Sequence, residues 1–339
     1  MNMLVINALP DRAAMPKLWR ARSGLAMAAA LLAAGCAGHR EARVALPHAG
    51  RTFRAEGRTV EVTGLTALPP PSGPTLPATA TAAVAPPGMQ YLYGSGEASA
   101  ISLQAWRALV GYVAGKLQAR PVDSVVLDEG ATLAAPRFVP CGTKPFAAVF
   151  DVDETVLLNL GFESDEAAHP GRAYDDARWQ AWERTGATRV AAVPGAKAAL
   201  DALRTMGVTV VFNSNRSAAN AAQTAQALDA AGLGPAVHKQ TLWLKGDDDT
   251  GSLKDGRRRR IADTFCVVVM GGDQLGDFSD LFNAPQTTPA RRAVVAGAVA
   301  GKWGAGWFVL PNPVYGTALK GGADDLFPAA TRWTPDTLP

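Results

Sequence analysis

Neither sign of charge dominates this sequence, and its N-terminal apolar stretch is too short to stay in a bilayer. The 33 basic and 30 acidic residues leave a formal net charge of +3 over 339 residues, too balanced to draw in nucleic acid or an anionic membrane surface. Nucleic acid is therefore excluded as a partner class. The run Leu25–Ala34 falls short of the roughly 20 apolar residues that a permanent transmembrane helix needs. Cysteine is scarce as well, with three in the chain, and each of the three stands in a different context.

The first context is a targeting segment. Lys17, Arg20 and Arg22 precede the apolar run, and Gly35-Cys36 follows it, the charge-then-apolar order of an export signal. A small residue before a lone cysteine resembles a bacterial lipobox, which makes residues 1–35 a lipoprotein signal peptide and Cys36 the lipidation site that anchors the chain to the membrane. An ordinary signal peptide with an incidental cysteine is the alternative. Ala33 stands where leucine is usual, and Ala37 after the cysteine resembles outer-membrane sorting, so the expected location is the cell envelope, facing the periplasm or the surface. Cys141 and Cys266 would then sit in an oxidising compartment, each at or just before the start of an expected strand. Pairing and two buried thiols both remain open.

Residues 36–88 hold Pro69-Pro-Pro-Ser-Gly-Pro74 and an Ala/Thr/Pro-rich stretch ending in Pro86-Pro-Gly88, the composition of a tether. Within it, Thr52 to Leu65 alternates polar and apolar residues and suits a small hairpin. From Met89 the pattern changes. Trp106, Leu109, Val110, Val113 and Leu117 follow Ile101 at helical spacing after Gly94-Ser-Gly-Glu97, which predicts one long amphipathic helix. Short apolar runs then alternate with helical patterns. Strands are expected at Phe146–Phe150, Val208–Phe212, Thr241–Leu244, Phe265–Met270 and Trp307–Leu310, with a helix bounded by Pro194 and Gly207 before the second. Alternation of this kind predicts an α/β domain with a parallel, doubly wound sheet, whose ligands bind beyond the carboxyl ends of the strands.

Those strand ends are polar. Asp151-Val-Asp153-Glu154-Thr155 follows the first strand; two acids there are alone no more than solvated or helix-capping groups. Asn213-Ser214-Asn215-Arg216 follows the second, a hydroxyl and an amide suited to a phosphate oxygen if a helix N-terminus follows, or a plain cap if not. The third leads through Lys245-Gly-Asp-Asp-Asp-Thr-Gly-Ser-Leu-Lys254 to a lysine at the start of a basic helix, Arg257–Arg260, whose arginines are expected on a solvated face. Gly272-Asp273 and Asp277 follow the fourth. A carboxylate nucleophile, an oxygen-ligated Mg²⁺ on Asp151, Asp153 and Asp273, and a lysine near the developing charge together describe phosphoryl transfer through an aspartyl-phosphate. Asp151 is the expected nucleophile. Asp153, able to serve the metal through its backbone carbonyl, is the expected acid and base. Ser214, Asn215 and Lys254 would hold the phosphate, with Asp277 and Arg216 behind them. A non-catalytic ligand-binding lipoprotein and a phosphotransferase using the same aspartate are the competing readings.

The order of motifs resembles the haloacid dehalogenase superfamily. The Asp-x-Asp-Glu-Thr form, Tyr91-Leu-Tyr-Gly-Ser-Gly-Glu97, Val193-Pro-Gly195, Ser252-Leu-Lys254 and Leu310-Pro-Asn-Pro-Val-Tyr-Gly316 resemble its class C acid phosphatases, the lipoprotein e 5′-nucleotidase family, over about residues 89–325. The resemblance implies a Rossmann-like core with a smaller helical domain, to which the insertion 159–192 contributes, all within one phosphatase domain at 89–335. It also implies Mg²⁺ as cofactor and phosphomonoesters such as nucleoside 5′-monophosphates as substrates. Gly276 stands where the family often has an acid. Leu160-Gly-Phe162 replaces a stretch where the family often carries aromatic residues that sandwich a nucleobase, leaving Phe162, Trp179 and Tyr315 as candidates for stacking or for the core.

Overall fold

The computed structural model describes residues 52–55, 58–61, 84–285 and 287–335. The signal segment, Cys36 and most of the tether lie outside the described residues. The chain divides into two units, Met1–Pro77 and Ala78–Pro339. In the first, β1 (Thr52–Ala55) pairs antiparallel with β2 (Arg58–Glu61), Thr52 opposite Glu61, a small hairpin where the alternation suits one.

The second unit starts with a short helix, α1 (Pro87–Met89), that continues as a π-helical turn over Gln90–Gly94. The long helix α2 (Gly96–Lys116) follows, its first turn capped by Ser95, whose hydroxyl accepts from the Ala98 amide at 3.0 Å. Trp106, Leu109 and Val113 are its buried stripe, while Ile101 is exposed. β3 (Asp123–Leu127) and β4 (Phe138–Pro140) form an antiparallel pair that the apolar pattern did not announce. The indole of Trp307 donates to the Val125 carbonyl at 2.8 Å and ties this pair to the core.

The central sheet has five parallel strands in the order β11-β10-β5-β8-β9, from β5 (Phe146–Phe150), β8 (Thr209–Ser217), β9 (Leu242–Lys245), β10 (Cys266–Gly272) and β11 (Trp307–Val309). This is the expected α/β architecture. The strands are apolar up to their carboxyl ends because helices cover both faces. Along β5, Ala148 and Phe150 join Trp106, Leu200, Leu203 and Phe212 in one core cluster. Ala147 and Val149 join Val211, Ile261, Val267 and Trp307 in the other, as the two-residue period of a strand requires.

Helix α5 (Ala196–Thr205) enters through Gly195, whose φ of +92° lies in the left-handed region that favours glycine. Helices α6 (Ala221–Ala230) and α7 (Asp255–Thr264) complete the crossovers. The insertion expected over 159–192 lies between β6 (Leu157–Leu158) and β7 (Ala191–Ala192), which pair antiparallel and fasten its two ends together. It holds α3 (Leu160–Ala168) and α4 (Asp176–Thr185), the latter capped by Asp175 at 2.8 Å from the Ala177 amide. Among the described residues no helix is long and apolar enough to cross a membrane.

Cys141 and Cys266 are joined in a disulfide that closes a loop of 125 residues. Cross-linking a loop of that length lowers the entropy of the unfolded chain by an amount worth about 5 kcal/mol. Urea unfolding with and without a phosphine reductant should therefore show a markedly lower midpoint after reduction, and so should the Cys141→Ser/Cys266→Ser double variant. Coincident transitions would mean that the bond constrains nothing the fold does not already constrain.

Candidate active site

Asp151 leaves β5 with its amide donating to the Gly271 carbonyl of β10 at 3.0 Å, so the neighbouring strand sets its position. Its carboxylate receives the Lys254 ammonium at 2.5 Å, and the same Nζ reaches Asp277 Oδ1 at 2.6 Å. Lys254 sits at the N-cap of α7. Asp273, just past β10, is held by three donors: Thr155 Oγ1 at 3.1 Å, Gln274 Nε2 at 3.0 Å and Asn312 Nδ2 at 2.7 Å. One carboxylate oxygen from each of Asp151, Asp273 and Asp277 lies within 4.8 Å of the others, all three residues buried.

That crowding shifts the charges. Burial raises the Asp151 carboxyl well above the usual range, with Lys254 opposing and Asp277 and Asp273 adding to the rise. Burial and Asp277 push Asp273 up to about 7, against the hydrogen bonds from Asn312 and Gln274. Lys254 is raised despite its burial, because Asp151 and Asp277 favour its charged form. Two of the three buried carboxylates thus share one ammonium, and the third stands beside them. Their all-oxygen donor set, with Asp273 oriented from behind by Asn312 and Gln274, fits a hard divalent cation.

Asp153 faces elsewhere. Its Oδ1 takes the Arg216 guanidinium, 2.8 Å from Nε, and Asn159 Nδ2 at 2.9 Å, while Ser214 Oγ approaches Oδ2 at 3.4 Å. Of the expected metal set, the Asp151 and Asp273 carboxylates stand together with that of Asp277, and the Asp153 carboxylate lies outside that group, which leaves its backbone carbonyl as the atom expected to serve the metal. The reason is Arg216, fully buried on β8, which also donates to Asn159 Oδ1 at 2.7 Å and claims the Asp153 carboxylate.

β8 runs on through Ser217 instead of ending at Phe212, and α6 begins only at Ala221 after a 3-10 turn. The expected helix N-terminus behind Ser214 is therefore absent. Ser214 is buried, and its Oγ accepts from the Arg216 amide at 3.0 Å. Asn215 is exposed; it donates to the Ser252 carbonyl at 2.9 Å and accepts from Arg257 at 2.7 Å, clamping the loop that carries Lys254. The solvated face expected for the arginines of α7 is corrected for two of them. Arg257 and Arg258 are buried, and Arg258 donates to the Asp277 carbonyl at 2.8 Å and to the Gly276 carbonyl at 3.0 Å, fixing the turn that presents Asp277. The signal was the spacing of Asp255 and Arg258, which pair across one helical turn at 2.5 Å.

Several site residues were passed over in the sequence although they stand inside or close behind the quoted motifs. Thr155 and Asn159 are two. Glu154 is another: it is buried, has a φ of +53°, and accepts from the Asn159 amide at 2.9 Å, from the Tyr93 hydroxyl at 3.3 Å and from the Tyr315 hydroxyl. Burial, reinforced by Asp153, pushes its carboxyl up to about 8, so it is held as a neutral or shared-proton group. The Tyr315 hydroxyl, a stacking candidate, is thereby committed to Glu154.

A cleft of about 1020 Å³ opens over these residues, walled on one side by α3 and α4. Phe162 is buried at its edge, with its ring T-shaped against Trp179 at 4.9 Å and the Arg178 guanidinium 4.7 Å from its centroid. Trp179 is half-buried and lines the cleft, as does Tyr174, an exposed aromatic that was not singled out in the sequence.

The family described as HAD superfamily, subfamily IIIB (Acid phosphatase), matches residues 97–318. The chain is similar to Acid phosphatase 1 of Solanum lycopersicum, 29% identical over 172 residues that make up 49% of this chain and 57% of that protein; it therefore spans little more than half of that relative's length. It is also similar to the structure of the Class C acid phosphatase from Bacillus anthracis and to that protein's structure with tungstate bound. Each has a TM-score of 0.54 at 24% identity, covering 68% of this chain and 84% of the other, a likeness that shows the fold.

Glu163, on the cleft side of α3, supplies a test of these electrostatics. Burial and the neighbouring Glu166 raise its carboxyl to about 7, with Arg178 opposing. A folded-state pKa above the unfolded value means that the wild type loses stability as pH rises from about 4.5 to about 7. Glu163→Gln should therefore gain on the wild type by roughly 2 to 3 kcal/mol across that window, read as the difference in urea midpoints at pH 4.5 and pH 8. A difference that does not vary with pH would show that Glu163 ionises as an ordinary carboxylate.

Proposed function

The chain belongs to the HAD superfamily, subfamily IIIB acid phosphatases, and on that footing we propose that it is a Mg²⁺-dependent phosphomonoesterase working through an aspartyl-phosphate on Asp151. The observation that carries this reading is the Asp151–Lys254–Asp277 chain, with both ammonium contacts at 2.6 Å or less, set beside Asp273 at the carboxyl edge of the sheet.

Asp151 would attack phosphorus as the P–O bond to the alcohol breaks. Asp153 gives the departing oxygen a proton, and Arg216 and Asn159 hold Oδ1 so that the carboxyl keeps one orientation while Oδ2 serves the transfer. In the second half Asp153 takes a proton from water, the water oxygen bonds to phosphorus, and Asp151 is released with inorganic phosphate. Lys254 neutralises the nucleophile before attack and the phosphoryl oxygens after it, and Ser214 stands beside Asp153 where a phosphoryl oxygen can take its hydroxyl. Asp151, Asp273 and Asp277, with the Asp153 carbonyl, would hold Mg²⁺, which when bound supplies positive charge to the phosphoryl oxygens.

The cleft admits small phosphomonoesters, and the exposed ring of Tyr174 and the half-buried Trp179 offer a stacking surface for a nucleoside 5′-monophosphate. Export with anchoring through Cys36 completes the reading, and the Cys141–Cys266 disulfide supports it, because such bonds persist in oxidising compartments.

Hydrolysis of p-nitrophenyl phosphate by the soluble part of the chain should depend on Mg²⁺ and stop with chelator. Asp151→Asn should lower kcat by about 10³-fold or more while still binding tungstate, the oxyanion in the Bacillus anthracis structure. Undiminished turnover in that variant would remove Asp151 as nucleophile, and tungstate binding without hydrolysis of any ester in the wild type would indicate a binding protein.

A further inference from the structure

Nine carboxylate side chains and three lysines or arginines line the cleft. Each of the three cations is already paired: Lys254 with Asp151 and Asp277, Arg172 with Asp165 and Glu166, and Lys245 with Asp176 at 3.6 Å. The carboxylates are also satisfied, with one exception. Asp280 accepts from the amides of Lys254 and Asp255, and Glu183 from the Ser217 amide and Asn220. Glu166 is taken by both arginines of the insertion.

The exception is Glu163. It is 5% exposed and lines the cleft, yet among the described residues its carboxyl accepts no hydrogen bond and makes no ion pair. Tyr93, Glu154 and Asp153 lie within electrostatic range of it, so it stands close to the site as well as lining the cleft. Arg178, the nearest candidate partner, is drawn off to Asp165 and Glu166 and lies over the Phe162 ring. Its oxygens reach the solvent of the cleft, so a donor for them comes from water or from a group bound there. Burial accordingly raises its pKa to about 7.

We propose that Glu163 is a specificity-determining residue that receives a cationic group on the leaving alcohol, so that the preferred substrates are phosphomonoesters of amino alcohols or similarly charged alcohols. The proposal rests on the phosphatase reading. Its physical basis is a division of the cleft: the phosphoryl end carries Lys254 and the set of acids suited to a divalent cation, and the alcohol end carries acids whose only unpaired member is Glu163. An alcohol bearing a second anion meets repulsion there. An ammonium meets a vacant acceptor, and ionising Glu163 beside it replaces a neutral buried acid by a charge pair.

The test compares kcat/KM for the 2-aminoethyl, 3-aminopropyl and 4-aminobutyl phosphates with the n-alkyl phosphates of matching chain length, with p-nitrophenyl phosphate to certify an active enzyme. At the chain length that reaches Glu163, the wild type should favour the amine over its isostere by about tenfold, a preference that weakens with added salt. In Glu163→Gln the ratio should fall towards one, and in Glu163→Asp it should survive in part. Activity on the aryl ester with no amine preference at any length in the wild type overturns the proposal and leaves the phosphatase reading intact. A preference of the same size in Glu163→Gln overturns it too, and failure to hydrolyse any ester removes both readings.

Discussion

One ammonium holds the candidate active site of this protein together. Lys254 lies between Asp151 and Asp277, with Asp273 close by, where burial leaves water little room to screen them. Removing one partner from such an arrangement strands a buried charge, which is far more damaging than the net worth of the contact suggests. The surrounding contacts follow from that constraint. Asn215 and Arg257 clamp the loop that delivers Lys254, Arg258 pins the turn that delivers Asp277, and Asn312 and Gln274 orient Asp273. A cluster short of positive charge, held this rigidly, could accept a cation.

The second organising point is Glu154. Tyr93 arrives from the π-helical turn before α2 and Tyr315 from the segment after β11, and both hydroxyls end on this one carboxyl. Its left-handed backbone is uncommon for a residue with a Cβ, and donors from Asn159, Tyr93 and Tyr315 fix its carboxyl. Asp153, one residue earlier, inherits that rigidity. The loop between β5 and β6 is thus secured by the two ends of the domain as well as by its own strands.

Much of the fold was legible because parallel strands covered on both faces must be continuously apolar, and the runs at Phe146, Val208, Phe265 and Trp307 could hardly be anything else. The same argument explains what was not legible. β8 continues past Phe212 through Asn213, Ser214 and Arg216, polar residues that only the surrounding partners make compatible with burial. β3 and β4 are too short and irregular to show a period. In the site, the acids at strand ends announced themselves, but Arg257 and Arg258 resembled a wet surface because composition does not reveal that a carboxylate or a carbonyl waits beneath. Glu163 was not singled out in the sequence, because its lack of a partner exists only in three dimensions.

The disulfide stands at the opposite end of the same two strands. Cys266 opens β10 and Cys141 precedes β5, whereas Asp273 and Asp151 follow those strands at their other ends. The bond therefore acts as a rivet on the blunt side of a tool whose edge is elsewhere. Oxidation state governs how long the fold outlasts heat and proteases, and leaves the geometry at the far edge to its own hydrogen bonds.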